Sequence, residues 1–211
     1  MGEPHGIRRL RPAELDRAAL VLAAAFDEDP VFRELFPGAV ERRHGLTALW
    51  SGLVRYGRRY GVMLTTDEVS GVAVWFPPGR MDLTFARMLG SGFVLLRAVR
   101  RLPREARTRV LGSLRFLEGL EREQMDGRPY WYLWALAVEP TRQGRGLGTE
   151  LLGAMLRRAD HEGLPEYLET FNERDLAFYE RSGFRAVRQD AFPRSGLPVW
   201  TLIREPRPAG A

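Results

Sequence analysis

The stretch QGRGLG, at residues 143–148, lies between an apolar run and a helical pattern, and its residue types suit an anion. N–H groups at the start of a helix have no partner inside the helix and carry partial positive charge. Gly144, Gly146 and Gly148 remove the side chains that would hold a phosphate away, so a pyrophosphate fits against the main chain there. Two familiar nucleotide patterns fail on detail. A P-loop needs a Lys that this chain lacks, and a GxGxxG loop needs Gly where Thr149 stands. On these residues alone, a tight strand-to-helix connection is the competing explanation of the glycines. A second polar stretch, LETFNERDLAFYERSGF, begins at Leu168 and carries Glu169, Asn172, Asp175 and Tyr179.

Composition excludes several other chemistries. All 32 basic residues among the 211 are Arg, and the formal charge is +5. Arg holds phosphate well, while lysine chemistry is absent, and the charge alone does not separate nucleic acid, anionic membrane and a phosphate-rich cofactor. Without Cys there is no disulfide framework, no thiol nucleophile and no cysteine zinc site. His5, His44 and His161 have no ligand-like spacing, so no metal is expected. The opening RRLRPAELDRAALVLAAAF imitates a signal peptide, but Glu14, Asp16 and Arg17 interrupt it, and it reads better as an amphipathic helix. No run of about 18 apolar residues occurs, and a soluble, cytoplasmic protein is expected.

Hydrophobic periodicity supplies the scaffold. GIRRL reads as a short first strand, with a helix starting near Pro12 and ending at FDEDP. Helical patterns at 31–36 and 46–60 precede two antiparallel strands, VMLTTD and GVAVWFP. Residues 80–125 read as two helices broken near Pro103. Their stretch 97–115 carries seven Arg against Glu105, which reads as a solvated face on core-packed helices. PYWYLWALAVEP is the central strand. After it come a helix at 147–159, the strand EYLETF, a helix at 175–181 and closing strands FRAVRQ and PVWTLI. The expected organisation is one domain over 1–204 and a disordered tail over 205–211.

The two polar stretches together resemble the Gcn5-related N-acetyltransferases: QGRGLG matches their Q/R-x-x-G-x-G/A loop, and Asn172, Tyr179 and Gly183-Phe184 match their N…FY…GF element. The resemblance spans 7–203. It is closest to the puromycin N-acetyltransferase-like branch, through WYLWALAVEP, LETF and FYERSGF. It implies an α/β fold with a mixed, mostly antiparallel sheet flanked by helices and splayed between strands 4 and 5 to admit acetyl-CoA. It further implies that the main chain of Leu136, Ala137 and Val138 pairs with the pantetheine amides. Gln143, Gly144, Arg145, Gly146, Leu147, Gly148 and Thr149 would then hold the pyrophosphate, with Arg142 or Arg145 screening charge and Asn172 binding the cofactor arm. Asp175 stands where relatives often have Asn or a small residue, so no role is assigned to it.

Under the same resemblance Tyr179 is the general acid, its phenol protonated at neutral pH because an ordinary tyrosine pKa is about 10. Glu169, on the fifth strand beside the opening, is the candidate base, with a structural strand carboxylate as the competing reading. Phe26, Trp75 and Trp134, with Phe76, Trp131 and Tyr132, are candidates for an aromatic acceptor wall or for core. Asp27 and Asp29 would attract a cationic amine or form a solvated helix end. The expected reaction is direct transfer from acetyl-CoA to a small-molecule amine, with neither nucleic acid nor membrane as partner and a homodimer compatible with the chain. A peptide or protein-lysine acetyltransferase and a non-catalytic CoA-binding or nucleic-acid-binding module are the alternatives.

Overall fold

The computed structural model describes residues 6–80 and 94–207. Seven strands form one sheet in the order β1-β2-β3-β4-β5-β7-β6. They are β1 (Ile7–Arg9), β2 (Val62–Thr66), β3 (Gly71–Phe76), β4 (Trp131–Val138), β5 (Glu166–Thr170), β6 (Arg185–Ala191) and β7 (Pro198–Arg204). Every neighbouring pair is antiparallel except β4 and β5, whose crossover contains a helix. The helices are α1 (Leu15–Ala25), α2 (Pro30–Leu35), α3 (Ala39–Tyr60), α4 (Val94–Arg100), α5 (Arg104–Met125), α6 (Leu147–Glu162) and α7 (Leu176–Arg181). The mixed, mostly antiparallel sheet flanked by helices is the expected α/β architecture.

Two cores cover the two faces of the sheet. Ala18 and Leu22 of α1 with Leu46, Trp50 and Val54 of α3 bury Val72, Val74 and Phe76. On the other face Leu151, Leu152 and Met155 of α6 pack on Ala73, Trp75, Trp131 and Leu133. A third cluster joins Val31 and Leu35 of α2, Leu49 of α3, Val99 of α4 and Val110 of α5, so these helices form a lobe beside the sheet.

Two irregularities shape the middle of the sheet. In the β3–β4 register Trp75 faces Leu133 and Val74 faces Ala135, which leaves Trp134 as an extra residue. Such a bulge turns two consecutive side chains to one face, and Trp134 and Ala135 both join the α1/α3 side. The parallel β4–β5 ladder contains only Trp131 with Glu166 and Tyr132 with Tyr167. Beyond those pairs β4 runs on to Val138 with no strand on its β5 side among the described residues, and the expected splay between strands 4 and 5 is present.

Several boundaries differ from the sequence reading. α3 begins at Ala39, seven residues before the expected start. The break near Pro103 separates α4 from α5 as anticipated, and the first part of that expected helix pair, 81–93, lies outside the described residues. Within the Arg-rich stretch, Arg109 is not a solvated side chain: its guanidinium donates to the Leu35 carbonyl at 2.8 Å and pairs with Glu41 at 3.6 Å. The tail is tied down at its start, because Arg128 pairs with Glu205 at 2.8 Å and the Arg207 N–H donates to Asp160 at 2.7 Å.

One buried ion pair holds the far end of the sheet. Arg204, whose side chain is 3% exposed, donates to Glu166 at 2.7 Å and to Asp160 at 2.8 Å, and Glu166 is fully buried. Removing one partner of such a pair leaves an uncompensated charge, at a cost of about 3–5 kcal/mol. Arg204→Met is therefore expected to destabilise the protein by that order in urea unfolding at pH 8. Burial pushes the orphaned Glu166 carboxyl up, so lowering the pH lets it take a proton and recover part of the loss. A loss below about 1 kcal/mol at pH 8 would show that water reaches this pair.

Candidate active site

The loop after β4 is built for a close approach to its main chain. Pro140–Arg142 makes one 3-10 turn, and Gly144 and Gly146 then take φ of +75° and +84°. These left-handed values favour glycine, and a Cβ at either position meets no atom within 4 Å, so the space above the loop is open. Gly146 caps α6, whose first backbone acceptor serves Glu150. The N–H groups of Leu147, Gly148 and Thr149 therefore have no intrahelical acceptor, as a phosphate cradle requires. Gly148 is less constrained, since an added Cβ would lie 3.5 Å from the Phe178 ring of α7, an ordinary van der Waals contact.

The expected loop residues divide by side chain. Leu147 is buried against the α6 core, while Thr149 and Arg145 are exposed. The Gln143 amide folds back to donate to the Val138 carbonyl at 3.1 Å, so only its main chain faces the loop. Arg142 is tied to Glu68 and lies 3.9 Å from Glu139. Leu136, Ala137 and Val138 occupy the part of β4 beyond the last pair with β5. Asn172 was expected on the cofactor arm, but it lies outside the cavity wall. Its Oδ1 accepts from the Arg174 N–H at 3.2 Å, capping the turn Glu173–Asp175, and its Nδ2 donates to Asp175 at 3.5 Å.

At the splay a cavity of about 290 Å³ passes between β4 and β5 into the α2–α5 lobe. Glu169, Tyr179, Asp29, Asp175, Phe26 and Trp134 all line it. Glu169 accepts from the hydroxyls of Tyr132 and Tyr167, each at 2.7 Å. Tyr132 and Tyr167 are register partners in the ladder, and Glu169 follows Tyr167 by two residues on the same strand face. Burial pushes the Glu169 carboxyl up to about 7, and the two phenol donors oppose that shift. Near neutrality it therefore exists both as an acceptor and as a holder of a proton.

Tyr179 projects from α7 with its ring against Phe178 and Phe184, at centroid distances of 5.1 and 5.8 Å. Its hydroxyl has no hydrogen-bond partner among the described residues. Burial, then the carboxylates of Asp175 and Asp29, raise its pKa above the ordinary tyrosine value. Asp29 caps α2 by accepting from the Val31 N–H at 3.0 Å, and burial with the nearby Asp175 pushes it up to about 6. Burial likewise raises Asp175, which accepts from the Thr170 hydroxyl at 3.3 Å.

Two expected acceptor residues do not line the cavity. Asp27 is held by the buried Arg42 at 3.2 Å, which stabilises the turn after α1. Trp75 is fully buried on the α6 face, because β3 is covered on both sides and its alternation sends Trp75 away from Val74 and Phe76. Phe26 does line the cavity and stacks on Trp50 at 5.0 Å, and Trp134 lies edge-on to Phe76 at 5.3 Å. Sequence reasoning assigned no role to Asp175, Phe32 or Trp50, all of which line the same space. Among the described residues no group of three His, Asp or Glu side chains is placed to hold a metal ion, and no helix is long and apolar enough to cross a membrane.

A β4–β5 junction splayed beyond two residue pairs, followed by a glycine turn at the head of the next helix, is the architecture of an acetyltransferase fold, and comparison with known proteins agrees. The profile of the acetyltransferase (GNAT) family matches residues 75–184, and the chain belongs to that family. An uncharacterized N-acetyltransferase of Schizosaccharomyces pombe is 28% identical over 206 residues, covering 94% of this chain and 83% of that protein. A Corynebacterium glutamicum structure described as histone acetyltransferase HPA2 and related acetyltransferase superposes with a TM-score of 0.64 at 21% identity, over 98% of this chain and 99% of its own. Arylalkylamine N-acetyltransferase 2 of Aedes aegypti superposes with a TM-score of 0.60 at 12% identity, over 97% and 100% of the two chains. Both structural likenesses concern the fold.

Proposed function

We propose that this protein transfers the acetyl group of acetyl-CoA directly to the primary amine of a small molecule, with both substrates bound together. The observation that carries the reading is the cavity at the β4–β5 splay, lined by both Glu169 and Tyr179. The cosubstrate supplies an acetyl thioester. Its pyrophosphate fits the open space above Gly144 and Gly146, and its amide-bearing arm fits the unpartnered edge of β4 at Leu136, Ala137 and Val138. Glu169 takes a proton from the ammonium, freeing the lone pair that attacks the thioester carbon. As the carbon–sulfur bond breaks, Tyr179 gives its proton to the departing sulfur and regains one from the acylated nitrogen. The ammonium thus loses two protons, one passing to solvent through Glu169 and one to the thiol. With no Cys in the chain, direct attack is favoured over a cysteinyl-acetyl relay. The stretches WYLWALAVEP and FYERSGF support placing the protein in the puromycin N-acetyltransferase-like branch.

The test is thiol release from acetyl-CoA across a panel of amines, with CoA binding measured separately by calorimetry. Saturating CoA should raise the melting temperature. Gly146→Asp should remove binding, because it adds a negative charge where anionic oxygens approach the main chain at φ +84°. Gly146→Ala carries the backbone strain without the charge and should retain weakened binding. Tight CoA binding by a folded Gly146→Asp protein would put the pyrophosphate elsewhere.

A further inference from the structure

The charge of the cavity is opposite to that of the chain. In a protein with 32 Arg and a net charge of +5, the cavity wall carries three carboxyls, Asp29, Glu169 and Asp175, and no Arg or His among the described residues. The rest of the wall is neutral and mostly apolar, with Phe26, Phe32, Trp50 and Trp134 among the aromatics and only hydroxyls as further polar side-chain groups. The carboxyls are not tied up in ion pairs among the described residues: Asp29 and Asp175 keep only hydrogen bonds to neutral groups, and Glu169 only its two phenols. Elsewhere the protein pairs its carboxylates with Arg freely, as Asp27 with Arg42 and Asp160 with Arg204. Asp29 and Asp175 are close enough for the charge of Asp175 to raise the Asp29 pKa, and both raise that of Tyr179. A cation beside Tyr179 would relieve all three.

We infer that the acceptor is an amphipathic monoamine, an aryl- or alkyl-amine that lacks a carboxylate. Its ammonium is held by Asp29 and Asp175, and its apolar body lies against Phe26, Trp50 and Trp134. This rests on reading the cavity as the acceptor site. The exclusions follow from the wall. An α-amino acid would bring a carboxylate to a space with three carboxyls and no basic side chain among the described residues, leaving a buried negative charge unpaired. A polyamine would place its second ammonium among Val and Leu side chains. A volume of about 290 Å³ is at the lower end of small-molecule sites, which favours a compact body. Asp29 and Asp175 are specificity-determining residues for this class, and Asp175 was not assigned a role by its sequence motif.

The experiment compares matched pairs on the full chain: 2-phenylethylamine against phenylalanine, and tryptamine against tryptophan, with spermidine and a short peptide alongside. Each amine should exceed its amino acid in kcat/KM by on the order of a hundredfold or more. Asp175→Asn should raise the amine KM about tenfold and leave the acetyl-CoA KM unchanged, since it removes a carboxylate that attracts cations. Asp29→Asn should act likewise while keeping the α2 cap, because Asn caps as well as Asp. Calorimetric binding of 2-phenylethylamine in the presence of CoA is read separately from turnover. Binding without turnover of any amine would support the monoamine site while sinking the transferase reading. Acetylation of spermidine, peptide or phenylalanine at least as fast as of 2-phenylethylamine would overturn the inference and leave the transferase reading standing. Absence of both binding and turnover of the aryl amines would overturn the inference.

Discussion

Tyr179→Phe is expected to fold normally, bind CoA as the parent does and lose about a hundredfold to ten-thousandfold in kcat. The phenyl ring keeps the contacts with Phe178 and Phe184, and the hydroxyl has no protein partner among the described residues, so its removal leaves no orphaned donor. Under the proposed mechanism, what disappears is the proton that the leaving sulfur needs. The raised pKa has two consequences. Tyr179 stays protonated throughout the working range, so it gives no falling alkaline limb below about pH 10. It is also a weaker acid than a free phenol, but under the proposed mechanism the thiolate would form in the same apolar, carboxylate-rich space, which would raise the proton affinity of sulfur as well. Single-turnover measurements isolate the chemical step. An undiminished kcat under conditions where chemistry limits turnover would show that solvent or another group protonates the sulfur.

Legibility in the sequence followed the range of the interactions. The glycine turn before α6 was readable because glycines at 144 and 146 and the helix after them are neighbours in the chain, and their conformations are local. The α/β sheet was readable because its strands are punctuated by Gly and Pro and rich in strand formers. The facing of β3 was not. A strand covered on both sides has no polar alternation, so nothing in VAVWF said that Trp75 would point toward α6 and leave the cavity side to Trp134. The bulge that turns Trp134 into the cavity depends on its register with β3, which is a long-range property. Asp27 and Asp29 looked alike as two acids after a helix, and what separates them is Arg42, which claims Asp27 from another helix. Asp175 was passed over because its motif position departs from the family pattern, whereas its nearness to Asp29 comes from residues before α2 and before α7 lining one cavity, which is a long-range property. The Tyr132–Glu169–Tyr167 arrangement was within reach, since Tyr167 and Glu169 share a strand face, but the pairing of Tyr132 needed the parallel register.

Glu169→Gln separates the two readings of that carboxyl. The wild-type group has its pKa pushed up to about 7, above the ordinary glutamate value near 4.5. The native state thus binds the proton more tightly than the unfolded chain, and stability falls as the pH rises from about 4.5 through about 7. Gln is neutral throughout and escapes that loss. It is the same size, and with one phenol turned to accept from its amide, Tyr132 and Tyr167 remain bonded. At pH 8 the variant should therefore be more stable than the parent, by on the order of 1–3 kcal/mol, with the difference vanishing near pH 4. A carboxylate kept only to brace the strand predicts the opposite sign. Activity should move the other way: kcat/KM of the parent rises with pH through about 7 as the base ionises, and the variant should lose about a hundredfold or more at pH 7. It should recover in part toward pH 9–10, where amines lose the proton unaided, while Tyr179→Phe should not. A Glu169→Gln variant with lowered stability and unchanged kcat/KM would make Glu169 a strand brace and move the base to Asp29 or Asp175, the other two carboxyls lining the cavity.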